Sequence, residues 1–301
     1  MIAIIGPTAC GKTQVAVRVA RALGGHVVSA DSRQVYRRMD IGTGKDLRDY
    51  TLDGQAVPYH LIDIAEPGER YTVYDYQRDF LKVYNELSPR TELVLCGGSG
   101  LYVESILRAY RLTPVPENKD LREALNGKSL SELRALLATY KKLHNTTDVD
   151  TAGRAIRAIE IADYYKHNPP RDSDFPKIES RTFGLSVPRE ERRRRISERL
   201  SKRLNEGMIE EVEGLLKGGV SAESLLSYGL EYRYITLYLL GRLRLDEMRQ
   251  RLEIAIQQFG KRQMTYFRGM ERRGVPITWI DATRGDPEQI ASLILKQKAE
   301  P

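Results

Sequence analysis

The segment Gly6-Pro7-Thr8-Ala9-Cys10-Gly11-Lys12-Thr13 constrains this chain more than any other. It fits G-x-x-x-x-G-K-[ST], follows the apolar run Ile2-Ala3-Ile4-Ile5, and precedes an apolar stripe at Val15, Val19 and Leu23. A strand, a glycine-rich turn and a helix in that order form a phosphate-binding loop. Its backbone N–H groups make an anion nest at a helix N-terminus, where the dipole also favours negative charge. Lys12 adds a point charge, and the Thr13 hydroxyl can join the coordination shell of Mg²⁺. The motif leaves open which phosphate compound is held.

Further strands follow the same pattern. His26-Val27-Val28-Ser29 reads as a second strand, Leu61-Ile62-Asp63-Ile64 as a third and Leu93-Val94-Leu95-Cys96 as a fourth. The fourth runs into Gly97-Gly98-Ser99-Gly100 and a helix through Leu101, Ser105 and Ala109. Strands alternating with helices predict an α/β fold, a P-loop NTPase-like parallel sheet flanked by helices. Its ligand site belongs at the carboxyl ends of the strands. After Thr113-Pro114-Val115-Pro116 the spacing turns helical from Leu121 to about Tyr165, and Asn168-Pro169-Pro170 breaks it. Strand character returns from Thr182 to Val187, and late in the chain at Ile277-Thr278-Trp279-Ile280. The expected organisation is a catalytic core from residues 1–112 and 178–301, with a helical insertion at 113–177.

Most P-loop chains bind ATP or GTP and place a carboxylate at the end of an apolar strand. Here the best such strand, Leu93 to Cys96, ends in Cys-Gly-Gly-Ser-Gly. Asp63 is a possible substitute, and a small-molecule kinase stays open as an alternative. Asp31, in Ser29-Ala30-Asp31-Ser32-Arg33-Gln34, sits at the carboxyl end of the second strand, beside the P-loop. It can serve as general base or metal ligand, or simply cap the helix that follows.

Composition narrows the partners. The 301 residues carry 48 Lys and Arg against 41 Asp and Glu, a net charge of +7 that suits a polyanion. Residues 189–203 alone hold eight basic side chains. Two cysteines, Cys10 and Cys96, are too few for a disulfide framework or a metal cluster. No apolar run reaches the ~18 residues of a membrane span, and Met1 leads straight into the first strand without a charged leader. A cytoplasmic monomer without a membrane partner is expected.

Five segments together carry a resemblance: GPTACGKT, SADSRQVYRRMDIGTGK, HLIDIAEPGERYTVYDYQRDF, CGGSGLYVESIL and KRQMTYFRG. In this order, and spread over nearly the whole chain, they resemble the tRNA dimethylallyltransferase (isopentenyltransferase) family. The resemblance implies transfer of the dimethylallyl group of dimethylallyl diphosphate to N6 of the adenosine 3′ of the anticodon, tRNA position 37. It implies that Thr8 to Thr13 hold the diphosphate and that Asp31 takes a proton from the adenine amino group. It implies an arginine ligand for the diphosphate at Arg199, with Arg195 one turn earlier as the alternative.

The same resemblance assigns tRNA contacts to Asp31, Ser32, Arg33 and Gln34, to Ser99 where the family has threonine, and to Arg154. It assigns them also to Lys261, Arg262 and Gln263, on a helix that carries Gln258 and Arg268 and whose apolar side is read as Leu252, Ile256 and Phe259. The helical insertion corresponds to the family's tRNA-binding module, which grips the anticodon arm. Asp148-Val149-Asp150 departs there from the family's Pro-Asn-Asp. Mg²⁺ is the implied cofactor. A free-nucleotide acceptor such as AMP is the rival within the same chemistry.

Overall fold

The computed structural model describes residues 1–140, 149–168 and 175–299. Residues 1–110 with 176–301 form one compact unit and residues 111–175 a second.

In the first unit, β1 (Ile2–Ile5) leads through the P-loop into α1 (Lys12–Ala22) and β2 (His26–Ser29). A two-stranded antiparallel hairpin, β3 (Thr51–Leu52) with β4 (Gln55–Ala56), precedes β5 (Tyr59–His60). Next come α2 (Val73–Leu87), β6 (Leu93–Gly97) and α3 (Gly100–Leu107). The second unit contributes α4 (Lys119–Leu125), α5 (Leu130–Tyr140) and α6 (Ala152–His167). The chain re-enters the first unit at β7 (Arg181–Ser186). It continues as α7 (Arg189–Asn205), α8 (Met208–Lys217), α9 (Ala222–Ser227), α10 (Leu230–Leu239) and the long α11 (Leu245–Arg272). It closes with β8 (Thr278–Asp281) and α12 (Pro287–Ala299).

The main sheet has the order β5-β2-β6-β1-β7-β8, and every pairing in it is parallel. Strand order reverses at β1, so the loop after β1 opens into the crevice where such sheets bind ligands. One apolar core joins Ile2, Ile4, Val27 and Val94 of the sheet to Val15 and Val19 of α1 and to Ile290 and Ile294 of α12. A second core gathers Ile196 and Leu200 of α7, Met208 and Val212 of α8, Tyr232 and Ile235 of α10, and Leu252 and Ile256 of α11. It reaches Val35, Tyr36 and Met39 just beyond β2. The helical lobe is thereby fastened beside the P-loop. The second unit closes on its own small core of Leu125, Leu133, Leu137, Val149, Ala155 and Ile159.

Three readings change. The strand expected at Leu61–Ile64 ends at His60, because Leu61 and Asp63 take left-handed φ of 61° and 56°. The helix after β6 stops at Leu107, before Ala109 at φ 46°. Phe259, expected on the apolar side of its helix, is 40% exposed, whereas Leu252 and Ile256 are buried. Asp148, Pro169 and Pro170 lie outside the described residues.

Candidate active site

Gly11 caps α1 at φ 83°, a backbone angle that side chains resist, and so turns the loop into the helix. Lys12 Nζ lies 3.5 Å from the Pro7 carbonyl, folded back over the loop it belongs to. Cys96, buried at the end of β6, has its thiol pushed up to about 12 by that burial, while the Thr13 hydroxyl hydrogen-bonded to it pulls the other way. Both cysteines, Cys10 and Cys96, are buried free thiols.

Helix α7 sorts its arginines by face. Arg193, Arg194 and Arg195 are tied to Glu190, Glu191 and Glu198 in i,i+3 and i,i+4 pairs, the usual fate of exposed charges on a helix. Arg199 instead donates from Nη2 to Thr8 Oγ1 in the P-loop. Burial first, and Arg203 next, push its guanidinium down to about 10, still charged at neutral pH. Arg203, one turn on and buried, bonds Asp46 Oδ2 at 3.0 Å. Arg192, one turn before Arg195 and on the same side as Arg199, is likewise lowered by burial and by Arg189 and Arg193. Arg199 makes no ion pair among the described residues. Arg192, Arg199 and Arg203 share one stripe of the helix; Arg203 is neutralised by Asp46, and Arg199 is the one that reaches the P-loop.

Asp31 stands just past β2. It does not cap an α-helix: its Oδ1 accepts the Arg33 N–H at 2.9 Å and closes a turn. Ser99 reaches across from the start of α3. Its Oγ accepts the Ser32 N–H at 2.9 Å and donates to Ser32 Oγ at 3.2 Å. Gln34 is buried, accepting from Ser29 Oγ at 3.2 Å and donating to the Gly44 carbonyl at 3.1 Å. Asp31 and Ser32 thus lie on a turn braced from both sides. Arg33 forms no ion pair among the described residues.

Asp63 is committed elsewhere. Together with Asp40, at 2.5 Å, it pairs with the buried Lys45 Nζ, which also donates to the Tyr36 carbonyl at 2.7 Å. A substitute metal carboxylate at Asp63 is therefore not available to the P-loop.

A family model described as IPP transferase matches residues 34–270. The chain belongs to the IPP transferase family. The match begins after the P-loop and Asp31, so it is independent of the P-loop motif. A Phocaeicola vulgatus protein named tRNA dimethylallyltransferase 2 is 56% identical over 98% of this chain and 96% of its own length. A Porphyromonas gingivalis protein named tRNA dimethylallyltransferase 1 is 54% identical over 98% of each. Among solved structures, the full-length tRNA isopentenylpyrophosphate transferase of Bacillus halodurans superposes with a TM-score of 0.69 at 31% identity, covering 98% of this chain and 95% of that one. A eukaryotic dimethylallyltransferase solved acting on tRNA shares the fold, with a TM-score of 0.76 at 18% identity over 99% of this chain and 77% of its own.

The remaining family positions fall in two places. On α11, Lys261, Arg262 and Arg268 are exposed. Gln263 departs from the expectation: its side chain is buried, facing the P-loop rather than solvent. In the second unit Arg154 is exposed and held by Asp150 at 2.7 Å. Three residues here had no signal in the motifs. Arg203 was lost among its basic neighbours. Glu211 accepts the N–H groups of Asp40, Ile41 and Gly42 at 2.8, 2.7 and 3.0 Å, and so shapes the loop that carries Asp46. Glu231, at the start of α10, is a carboxyl raised by burial, within the field of Arg199 and Arg203.

Proposed function

We propose that this chain transfers the dimethylallyl group from dimethylallyl diphosphate to N6 of the tRNA adenosine 3′ of the anticodon, position 37, releasing diphosphate. The observation that carries the reading is the Arg199–Thr8 contact, which adds an unpaired guanidinium to the P-loop. The C–O bond to diphosphate breaks as the N–C bond forms, so negative charge grows on the departing oxygens. Lys12, Arg199 and the N–H groups of the loop favour that charge.

Asp31 is the proposed base. An adenine amino group is a poor nucleophile because its lone pair is delocalised into the ring. A carboxylate accepting its N–H raises electron density on nitrogen as the new bond forms and then holds the proton. One oxygen of Asp31 is occupied by the Arg33 N–H, which orients the other. Reaching N6 requires the base to leave its stack, and Ser32, Arg33 and Ser99 surround the turn that would meet it.

Among the described residues no three His, Cys, Asp or Glu side chains converge as a metal cage. The donor set at the P-loop is the Thr13 hydroxyl with diphosphate oxygens and water, which fits Mg²⁺. Bound there, Mg²⁺ would neutralise part of the leaving group's charge. Arg154 in the second unit and Lys261 and Arg262 on α11 are proposed to grip phosphates of the anticodon arm. Among the described residues no helix is long and apolar enough to cross a membrane.

Competition calorimetry tests the choice of donor. Dimethylallyl diphosphate should bind and resist displacement by an equal concentration of ATP. Preferential ATP binding would instead assign a kinase.

A further inference from the structure

The KRQ segment of α11 splits between two surfaces. Lys261 and Arg262 are exposed, while Gln263 is 8% exposed and turned inward. Its Oε1 accepts the Thr8 N–H at 2.8 Å, and its Nε2 donates to the Gly98 carbonyl at 2.9 Å. Both ends of the amide are used, and the two groups it joins belong to the loops after β1 and β6. Nearby, a side-chain carbon at Gly260 would come 3.5 Å from Thr8 Cγ2, so α11 lies directly against the P-loop.

Thr8 is therefore clamped twice. Arg199 holds its hydroxyl from α7, and Gln263 holds its N–H from α11. An N–H engaged by Gln263 does not point at a phosphate, so the anion cradle starts after Thr8. A partly buried N–H and a buried carbonyl that lose their partner must find another, and the loop would shift to do so.

Resting on the reading of this loop as a diphosphate holder, we propose that Gln263 is a positioning residue of the diphosphate site rather than an RNA contact. It sets Thr8, and through Thr8 the direction of the Arg199 guanidinium. Exposed Arg262 and Lys261, one and two residues away, are turned about 100° and 200° round the helix to other surfaces. The segment as a whole then serves two substrates, with Gln263 assigned to the smaller one.

Two variants approach the bond from opposite ends. Gln263→Met keeps the shape and removes both hydrogen bonds. Gly98→Ala keeps Gln263 but places a carbon 2.6 Å from its Nε2, which must move. Dimethylallyl diphosphate affinity is measured by calorimetry without tRNA, and tRNA affinity by filter binding without the diphosphate. In both variants the diphosphate Kd should rise about tenfold, the scale of one hydrogen bond lost to a buried carbonyl. The tRNA Kd should stay within about twofold, as for a change remote from the RNA surface. In steady state, kcat/KM for dimethylallyl diphosphate should fall while KM for tRNA holds.

An unchanged diphosphate Kd, or a weakened tRNA Kd with the diphosphate Kd intact, would overturn the proposal. Gly98→Ala decides the matter alone if Gln263→Met does not fold. Failure of the unsubstituted protein to bind dimethylallyl diphosphate would instead remove the functional reading beneath it.

Discussion

Arg199 on α7 and Thr8 in the P-loop are 191 positions apart in the chain, yet the guanidinium donates to the threonine hydroxyl. The contact joins two segments that a motif search treats separately, and it distinguishes Arg199 from Arg195, which is spent on Glu191 at 2.7 Å. Arg199→Ala should lower kcat/KM for dimethylallyl diphosphate about a hundredfold, the scale of one lost donor to a developing anion. Arg199→Lys should fall between, keeping the charge but losing the fork. Arg195→Ala should change it by no more than about twofold, as for a half-buried i,i+4 ion pair remote from the leaving group. Equal losses in the two alanine variants would mean that the contact with Thr8 carries no catalytic weight.

Asp31 and Ser99 separate chemistry from support. Asp31→Asn keeps the turn's shape and should reduce kcat by about 10²- to 10⁴-fold, with both substrates still bound. Ser99→Ala leaves the Ser32 N–H without its acceptor and should reduce kcat about fivefold, through a looser Asp31 turn. Ser99→Thr should restore the rate. If Ser99→Ala raised KM for tRNA and left kcat alone, the hydroxyl would be an RNA contact and not a brace.

Lys45 carries a stability prediction. Its ammonium is fully buried against the Tyr36 carbonyl, Asp40 and Asp63. Lys45→Met leaves two carboxylates and a carbonyl without their donor. Asp40 is 57% exposed and Asp63 34%, so both can rehydrate, and the loss should be about 2 kcal/mol rather than the larger cost of a sealed pair. A urea midpoint unchanged in Lys45→Met would contradict this.

His26 and His60 bridge β2 and β5, with ring nitrogens 2.9 Å apart and the ring planes nearly parallel. Only one nitrogen of that contact can carry the proton, so the pair needs neutral imidazole. Burial, and then His26, lower the His60 pKa below its usual 6.5. A depressed folded pKa gives stability that is present above the unfolded value and lost as pH falls through the folded one. The urea midpoint should therefore fall between about pH 7 and pH 5, and His60→Gln should flatten that slope. A slope of the same size in His60→Gln would locate the acid sensitivity elsewhere.

Much of this was legible in the residues, and the failures have physical causes. The P-loop declares itself because a nest at a helix N-terminus needs glycines and a lysine at fixed spacing. The parallel sheet shows in short apolar runs such as Leu93 to Cys96, buried on both faces. Arg203 was not legible because eight basic residues share one segment of α7, and only tertiary packing shows that Arg203 meets Asp46 and Arg199 meets Thr8. The burial of Gln263 was not legible because its neighbours in sequence are exposed cations, while a helix turns each successive residue about 100° to another surface. Asp63 misled because a carboxylate after an apolar run resembles a metal ligand until Lys45, 18 positions earlier, is seen to reach it.

The most direct test incubates the protein with isotopically labelled dimethylallyl diphosphate and Mg²⁺, offering either tRNA or AMP. The tRNA is then digested and its nucleosides are resolved by mass spectrometry. The account predicts N6-dimethylallyladenosine from tRNA, formed at the adenosine 3′ of the anticodon, with no label in AMP and product lost in Asp31→Ala. Label entering AMP but not tRNA, or full transfer by Asp31→Ala, would contradict it.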